Sequence, residues 1–170
     1  MSNIMIRKFL EDDAIEYDAP ITSHETDFDE YPREEYCFFY GTLQDLDRLS
    51  LVLGTANPPP MRRARVTGYE IKLWGPYPAT VDKKLSSVNG MVCGLLSPIQ
   101  LDLLAAYETE EYKLRSCLID ILNDDDSVER TIEGVIFTWA GQPEELREGT
   151  FDLKQWKKDQ ELRELELEFA

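Results

Sequence analysis

The chain has 170 residues, 42% of them hydrophobic and 11% aromatic, which is enough for one domain with a real core and some extra at its ends. Its 34 acidic and 18 basic side chains leave a formal net charge of −16, which sets nucleic acid and anionic membrane surfaces aside as partners. No window approaches the roughly 20 apolar residues of a membrane span, and Met1 to Leu10 do not read as a secretory leader, so the expected compartment is cytoplasmic.

The acidity is uneven. Residues 1–35 carry 11 acidic and 3 basic side chains, a net of −8, and show no sustained apolar period. Residues 1–33 are therefore expected to form a loosely ordered acidic arm. A docking arm for a basic partner is the alternative. Residues 34–142 are expected to be the folded domain, and 143–170 a charged helix or tail.

The folded part begins at Tyr36-Cys37-Phe38-Phe39-Tyr40, a dense run of strand formers with bulk on both faces, bounded by Gly41. Leucines at helical spacing follow from Leu46 to Leu53 and stop at Gly54. Pro58-Pro59-Pro60 reads as a rigid connector. Strand-like runs come next at Ala64–Trp74, Ala79–Lys83 and Val88–Leu96, with Pro76 and Pro78 keeping the second junction irregular. Ser97-Pro98-Ile99-Gln100 is a helix start with a cap, a first-turn proline and a capping-box glutamine. That helix is expected to run to about Tyr107. Tyr112–Leu122 and Val128–Trp139 read as a hairpin joined by Asn123–Ser127. From Phe151 the pattern is helical and charged, with Leu153, Trp156 and Leu162 available to dock it and Glu161–Glu168 exposed. Strands and helices do not alternate at length, so a doubly wound sheet is excluded in favour of an α+β chain with a sheet or barrel core.

Elimination narrows the chemistry. The one histidine, His24, lies in the arm, which excludes a Ser-His-Asp triad, a Cys-His pair in the core and a histidine-rich metal site. No phosphate-binding glycine loop is present, and no cofactor is expected. The turn Asp124–Asp126 lacks the glycine and distal glutamate of a calcium loop. Cys37, Cys93 and Cys117 match no zinc or redox spacing and read as reduced, core-type thiols. An acid–base group must then be Asp, Glu, Tyr, Lys or Cys.

Two segments carry the remaining interest. At Tyr40-Gly41-Thr42-Leu43 a buried strand ends in a short polar loop, where backbone N–H groups without ladder partners can converge on a small ligand. An ordinary strand-to-helix turn fits the same residues. At Tyr107-Glu108-Thr109-Glu110-Glu111-Tyr112 a helix end meets a strand. A carboxylate there faces the negative end of the helix dipole, and burial among rings would raise its pKa toward that of a general base. Glu110 and Glu111 read as solvent-exposed; for Glu108 the local pattern leaves both readings open.

Taken in order, Tyr40-Gly41-Thr42-Leu43, Tyr77-Pro78-Ala79, a Val-x-Gly strand (Val88-Asn89-Gly90 or Val92-Cys93-Gly94) and Tyr107-Glu108-Thr109 with Tyr112 resemble the γ-glutamylcyclotransferase-like family, including its plant avirulence-induced-gene branch. Gly68 to Pro78 looks most like the fungal members. The resemblance implies a small mixed β-barrel with flanking helices. It also implies a small γ-glutamyl substrate that cyclises to 5-oxoproline as its own α-amino group expels an amine. Glu108 would be the catalytic acid–base group; Tyr40, Gly41, Thr42, Leu43 and Tyr112 would bind substrate. A related transferase or cyclase on another amide, or a non-catalytic pocket-bearing module, is the alternative. The chain departs from the family pattern at Thr109, where glycine is usual, and at Val135–Trp139, where a pocket tyrosine is common.

Overall fold

The computed structural model describes residues 34–169, so the expected arm, 1–33, lies outside the described residues. Five strands close into a barrel in the order β1-β3-β2-β4-β5. They are β1 (Glu35–Phe39), β2 (Met61–Trp74), β3 (Tyr77–Leu96), β4 (Tyr112–Leu122) and β5 (Val128–Trp139). Every neighbouring pair is antiparallel except β1 and β5, which run parallel through Cys37↔Val135 and Phe38↔Ile136. The barrel is thus mixed and the chain α+β. Three helices join it: α1 (Leu46–Leu53), α2 (Pro98–Glu108) and α3 (Leu153–Glu168).

Alternation along β1 sorts the core into two layers. Phe38 and Tyr40 point into the barrel with Val66, Val88, Ile119 and Ile136. Cys37 and Phe39 point outward, into a second cluster with Leu49, Val52 and Leu53 of α1 and Leu104 of α2. A strand covered on both faces has no polar side, which is why the run Tyr36–Tyr40 is apolar throughout.

The helix ends follow their local signals. Gly54 takes φ +66 and its N–H returns to Leu51 and Ser50, so the one residue type that adopts this conformation without penalty ends α1. Ser97 and Gln100 form a reciprocal capping box at the start of α2, at 3.2 and 3.0 Å.

Two expectations change. The runs Ala79–Lys83 and Val88–Leu96 are one 20-residue strand. Thr67 pairs with Ser87 and Tyr69 with Asp82, so Lys83–Ser86 bulge out opposite the single residue Gly68. The polar gap in the sequence is that bulge rather than a break. Nor does Pro78 disturb the ladder: it faces Leu73, whose N–H and C=O both turn outward to Arg147, so no partner awaits the missing proline N–H. The second change concerns α3. Trp156 is buried and stacks near Tyr77, but Leu162 is 58% exposed and docks nothing.

The cysteines are unpaired. Cys37 and Cys93 are buried, and Cys117 is only partly so. Burial pushes the Cys93 thiol up to about 11 and Cys117 up to about 12, so all three stay protonated near neutral pH, Cys37 for the same reason.

Candidate functional site

One end of the barrel opens into a small cavity where β1 leaves the sheet. About 40 Å³ of it is open to the centre of a water molecule. Its walls are Phe39 and the loop Tyr40–Leu43, Trp74 from the end of β2, Tyr77 and Pro78 from the start of β3, Tyr107 and Glu108 from the end of α2, Tyr112 from β4 and Phe137 from β5. All six residues expected from the sequence, Tyr40, Gly41, Thr42, Leu43, Glu108 and Tyr112, meet here although they span 72 positions of the chain.

Thr42–Gln44 form one 3₁₀ turn, and its first returning bonds start from the N–H groups of Gln44 and Asp45. The N–H groups of Thr42 and Leu43 have no carbonyl partner among the described residues. Gly41 sits at φ −123, so positive φ is not the reason for a glycine here. The reason is Pro78: a Cβ at position 41 would lie 2.9 Å from its Cγ.

The rings around the cavity are held by their hydroxyls. Tyr40 Oη donates to the Phe137 carbonyl at 2.6 Å and accepts from the Thr80 N–H at 3.3 Å. Thr80 Oγ1 donates to the same carbonyl at 3.1 Å. Tyr40 therefore gives the site its ring, and its hydroxyl ties β1 to β3 and β5. Tyr112 Oη donates to Pro78 O at 2.9 Å, so its hydroxyl too is spent on the wall. Burial first, and then the charge of Glu108, keeps the Tyr40 hydroxyl above its ordinary value, and burial does the same for Tyr112. Both remain protonated. Phe137 faces the cavity and brings no hydroxyl.

Glu108 ends α2, and its side chain makes no hydrogen bond or ion pair with another described residue. Burial alone pushes its carboxyl up to about 8. Thr109 follows with φ +68 and ψ 175, a backbone region that is almost glycine-only. Its N–H bonds Ala105 O and its carbonyl accepts from the Tyr112 N–H, so the turn that aims Glu108 is fixed at both ends. Of the two flanking acids, Glu110 is exposed, while Glu111 is only partly so and its carbonyl accepts the Ala140 N–H.

Comparison with known proteins fits this geometry. The family model described as gamma-glutamyl cyclotransferase, AIG2-like, matches residues 37–158. The chain belongs to this family. AIG2-like protein D of Arabidopsis thaliana is 27% identical over 126 residues, which is 71% of this chain and 77% of that protein. Two solution structures of Arabidopsis thaliana proteins share the fold. One is 24% identical with a TM-score of 0.56, over 82% of this chain and 90% of the other. The second is 21% identical with a TM-score of 0.58, over 85% and 83%.

Membership in the family points in general terms to a cyclotransferase-like enzyme, small γ-glutamyl compounds being what the family acts on. Of the two Val-x-Gly runs, Val88-Asn89-Gly90 is the one the packing requires. A Cβ at Gly90 would overlap the Phe39 carbonyl and lie 2.7 Å from Phe38 Cζ, whereas a Cβ at Gly94 meets nothing within 4 Å. The sequence reading did not single out Trp74 in the cavity wall, or Arg48, which lies outside that wall and donates to Tyr107 Oη. Trp74 lies in the run that carries the family likeness. Arg48 has no local signal, because it reaches Tyr107 only through the packing of α1 on α2. Among the described residues no helix is long and apolar enough to cross a membrane.

Proposed function

We propose that this chain is a γ-glutamylcyclotransferase that releases an amine or amino acid from a γ-glutamyl compound as 5-oxoproline forms. The observation that carries the reading is Glu108: a carboxyl in the cavity wall, without a hydrogen-bond partner among the described residues and raised by burial to about 8. An acid–base group works best when its pKa lies near the working pH, and a bound α-ammonium would stabilise its charged form.

The atoms balance without a protein nucleophile. Glu108 carboxylate takes a proton from the substrate α-ammonium. The freed amine attacks the γ-carbonyl carbon and closes the five-membered ring. The carbonyl oxygen gains negative charge and is met by the N–H groups of Thr42 and Leu43, which no carbonyl among the described residues accepts. As the carbonyl re-forms, the C–N bond to the departing amine breaks, and that nitrogen takes the proton back from Glu108; the surplus proton left on the ring nitrogen then passes by way of the Glu108 carboxylate to the released amine, which departs as an ammonium and leaves a neutral lactam. Holding both ends of one small molecule in a cavity this tight removes most of the entropic cost of ring closure. The departing group would lie toward Trp74 and Tyr77, lining aromatics that keep part of their surface open. Thr109 supports turnover, since it holds the glycine-like conformation that aims Glu108.

The test is 5-oxoproline release over a panel of γ-glutamyl amines and γ-glutamyl amino acids. Glu108→Gln should lower the rate on the best substrate roughly 10²–10⁴-fold, the usual scale for a positioned acid–base group. Glu110→Gln and Glu111→Gln should leave it nearly unchanged. Normal turnover in Glu108→Gln would remove the mechanism. Absence of 5-oxoproline across the panel would favour the binding-module reading.

A further inference from the structure

Five aromatic rings form one connected cluster beside the cavity. Between ring centres, Trp74 lies 5.1 Å from Trp139 and 6.3 Å from Tyr112, and those two lie 5.5 Å apart. Tyr77 lies 6.5 Å from Trp74 and 6.3 Å from Trp156. The cluster has a back and a front. Tyr112, Trp139 and Trp156 are buried. Trp74 and Tyr77 keep part of their surface open and line the cavity.

The front pair is set by its hairpin. Trp74 and Tyr77 are directly paired across β2 and β3, so both side chains leave the sheet on one face. Only Gly75 and Pro76 separate them. Gly75 takes φ +57, and the proline ring fixes the next φ, so the turn has little freedom. The backing rings are held too: Trp139 Nε1 donates to Gln142 O at 3.0 Å, and Tyr112 Oη to Pro78 O at 2.9 Å. A ligand that reaches this wall meets a surface already formed, which spares the entropy of ordering it.

Two half-open aromatic faces fit either a cation or another apolar ring. Charge separates the two. The chain itself supplies cations on this side: the Arg48 guanidinium carbon lies 4.8 Å from the centre of the Trp156 ring, and Arg147 donates to the Gly75 carbonyl of the hairpin turn at 3.2 Å. A ligand cation would add like charge beside them. A neutral ring would extend the cluster by the tilted and edge-on contacts that its own rings already make. In the cyclotransferase reading, Glu108 and the Thr42–Leu43 loop take the glutamyl part, which leaves this wall to the other part of the substrate. We propose that Trp74 and Tyr77 receive the departing amine and select one whose carbon chain ends in an uncharged aromatic ring. This rests on the cyclotransferase reading above. The two residues determine specificity; they act on the departing group and not on the bonds that form and break.

Three substrates that share the glutamyl part provide the test: the γ-glutamyl amides of phenethylamine, of ethylamine and of putrescine, the last with a free ammonium on its tail. 5-Oxoproline release would be measured with the full chain. kcat/KM for the phenethylamine amide should exceed that for the ethylamine amide by about tenfold to a hundredfold, the scale on which an apolar pocket discriminates. Most of the gain should appear in KM, because the ring is remote from the reacting bond. Trp74→Ala and Tyr77→Ala should each lower that ratio by about threefold to tenfold, the worth of one ring contact, and Trp74→Phe should retain it. The ratio is taken within each variant, so any loss of folded protein cancels. A ratio near one in the unaltered protein, or one that both alanine variants leave unchanged, would overturn the proposal with the cyclotransferase reading intact. A preference for the putrescine amide over the phenethylamine amide would do the same and make the wall a cation site. Product from other γ-glutamyl compounds but from none of these three would overturn this proposal alone. No 5-oxoproline from any γ-glutamyl compound would overturn that reading and this proposal with it.

Discussion

A carboxyl group raised by burial is a cost to the fold as well as a tool for chemistry. Glu108 sits at about 8 in the native chain against an ordinary value of 4.5, so between these pH values the native state holds a proton that the unfolded chain releases. Stability from this group is fully present below pH 4.5 and is lost as pH rises through 8. Glu108→Gln carries no such penalty. Its melting temperature relative to the unaltered protein should therefore be higher at pH 8.5 than at pH 5. Thermal melts at the two pH values decide this, and an equal difference at both would show that the carboxyl is not raised. The adjacent residue stores a second cost. Thr109 in its glycine-type conformation implies strain of about 1–3 kcal/mol. Glycine would relieve it and lose about 1 kcal/mol to its freer unfolded chain. Thr109→Gly should thus stabilise by about 1 kcal/mol, read by urea unfolding. A loss of stability would mean that the Thr109 side chain contributes packing that outweighs the strain.

Elements form where local signals suffice, and they were legible in the sequence to that extent. α1 stops at Gly54 and α2 starts after Ser97, as their caps require, and β4 and β5 match their runs because Asn123–Ser127 supplies the turn. β3 was read as two strands because a bulge of four polar-flanked residues looks like a loop along the chain; only the continuous pairing on both sides shows otherwise. The candidate site was legible only through the family resemblance. Glu108 and Tyr40–Leu43 stand at element ends, where local composition alone fits an ordinary loop or turn as well. Trp74 reaches the cavity through long-range packing, which leaves no periodic trace. Close approach of elements makes a sharper prediction. Gly90 and Gly94 lie four residues apart on β3 and both run beside β1, but only at Gly90 would a Cβ strike the β1 backbone. Gly90→Ala should cost about 3 kcal/mol or more, at the upper end of overpacking penalties, because the Phe39 backbone cannot yield without breaking the β1–β3 ladder. Gly94→Ala should be neutral or stabilise by up to about 1 kcal/mol. Denaturant midpoints of the two variants compare them directly, and similar values would mean that the barrel can open at this crossing.

At the scale of the molecule, closure and charge act together. A closed barrel leaves no long free strand edge to pair with another chain, and a large net charge keeps copies apart. The same charge works against compactness. Residues 1–35 bring a net of −8, half of the total, and the family model begins only at residue 37. The barrel, its two core layers and every cavity residue named above lie within residues 35–168. We therefore propose that residues 1–33 are dispensable for folding. A chain starting at Glu34 should keep its melting temperature within about 4 °C of the full chain at physiological salt, the shift that 1 kcal/mol produces at this size. Screening sharpens the test, since self-repulsion between charges grows as salt is removed. At low ionic strength the shortened chain should gain relative to the full one, because it carries less negative charge into the same compact state. Differential scanning calorimetry of both chains at low and physiological salt reads this directly. A drop of ten degrees or more on truncation, or loss of soluble protein, would show that the first 33 residues pack on the barrel, and that its stability was misjudged from residues 34–169 alone.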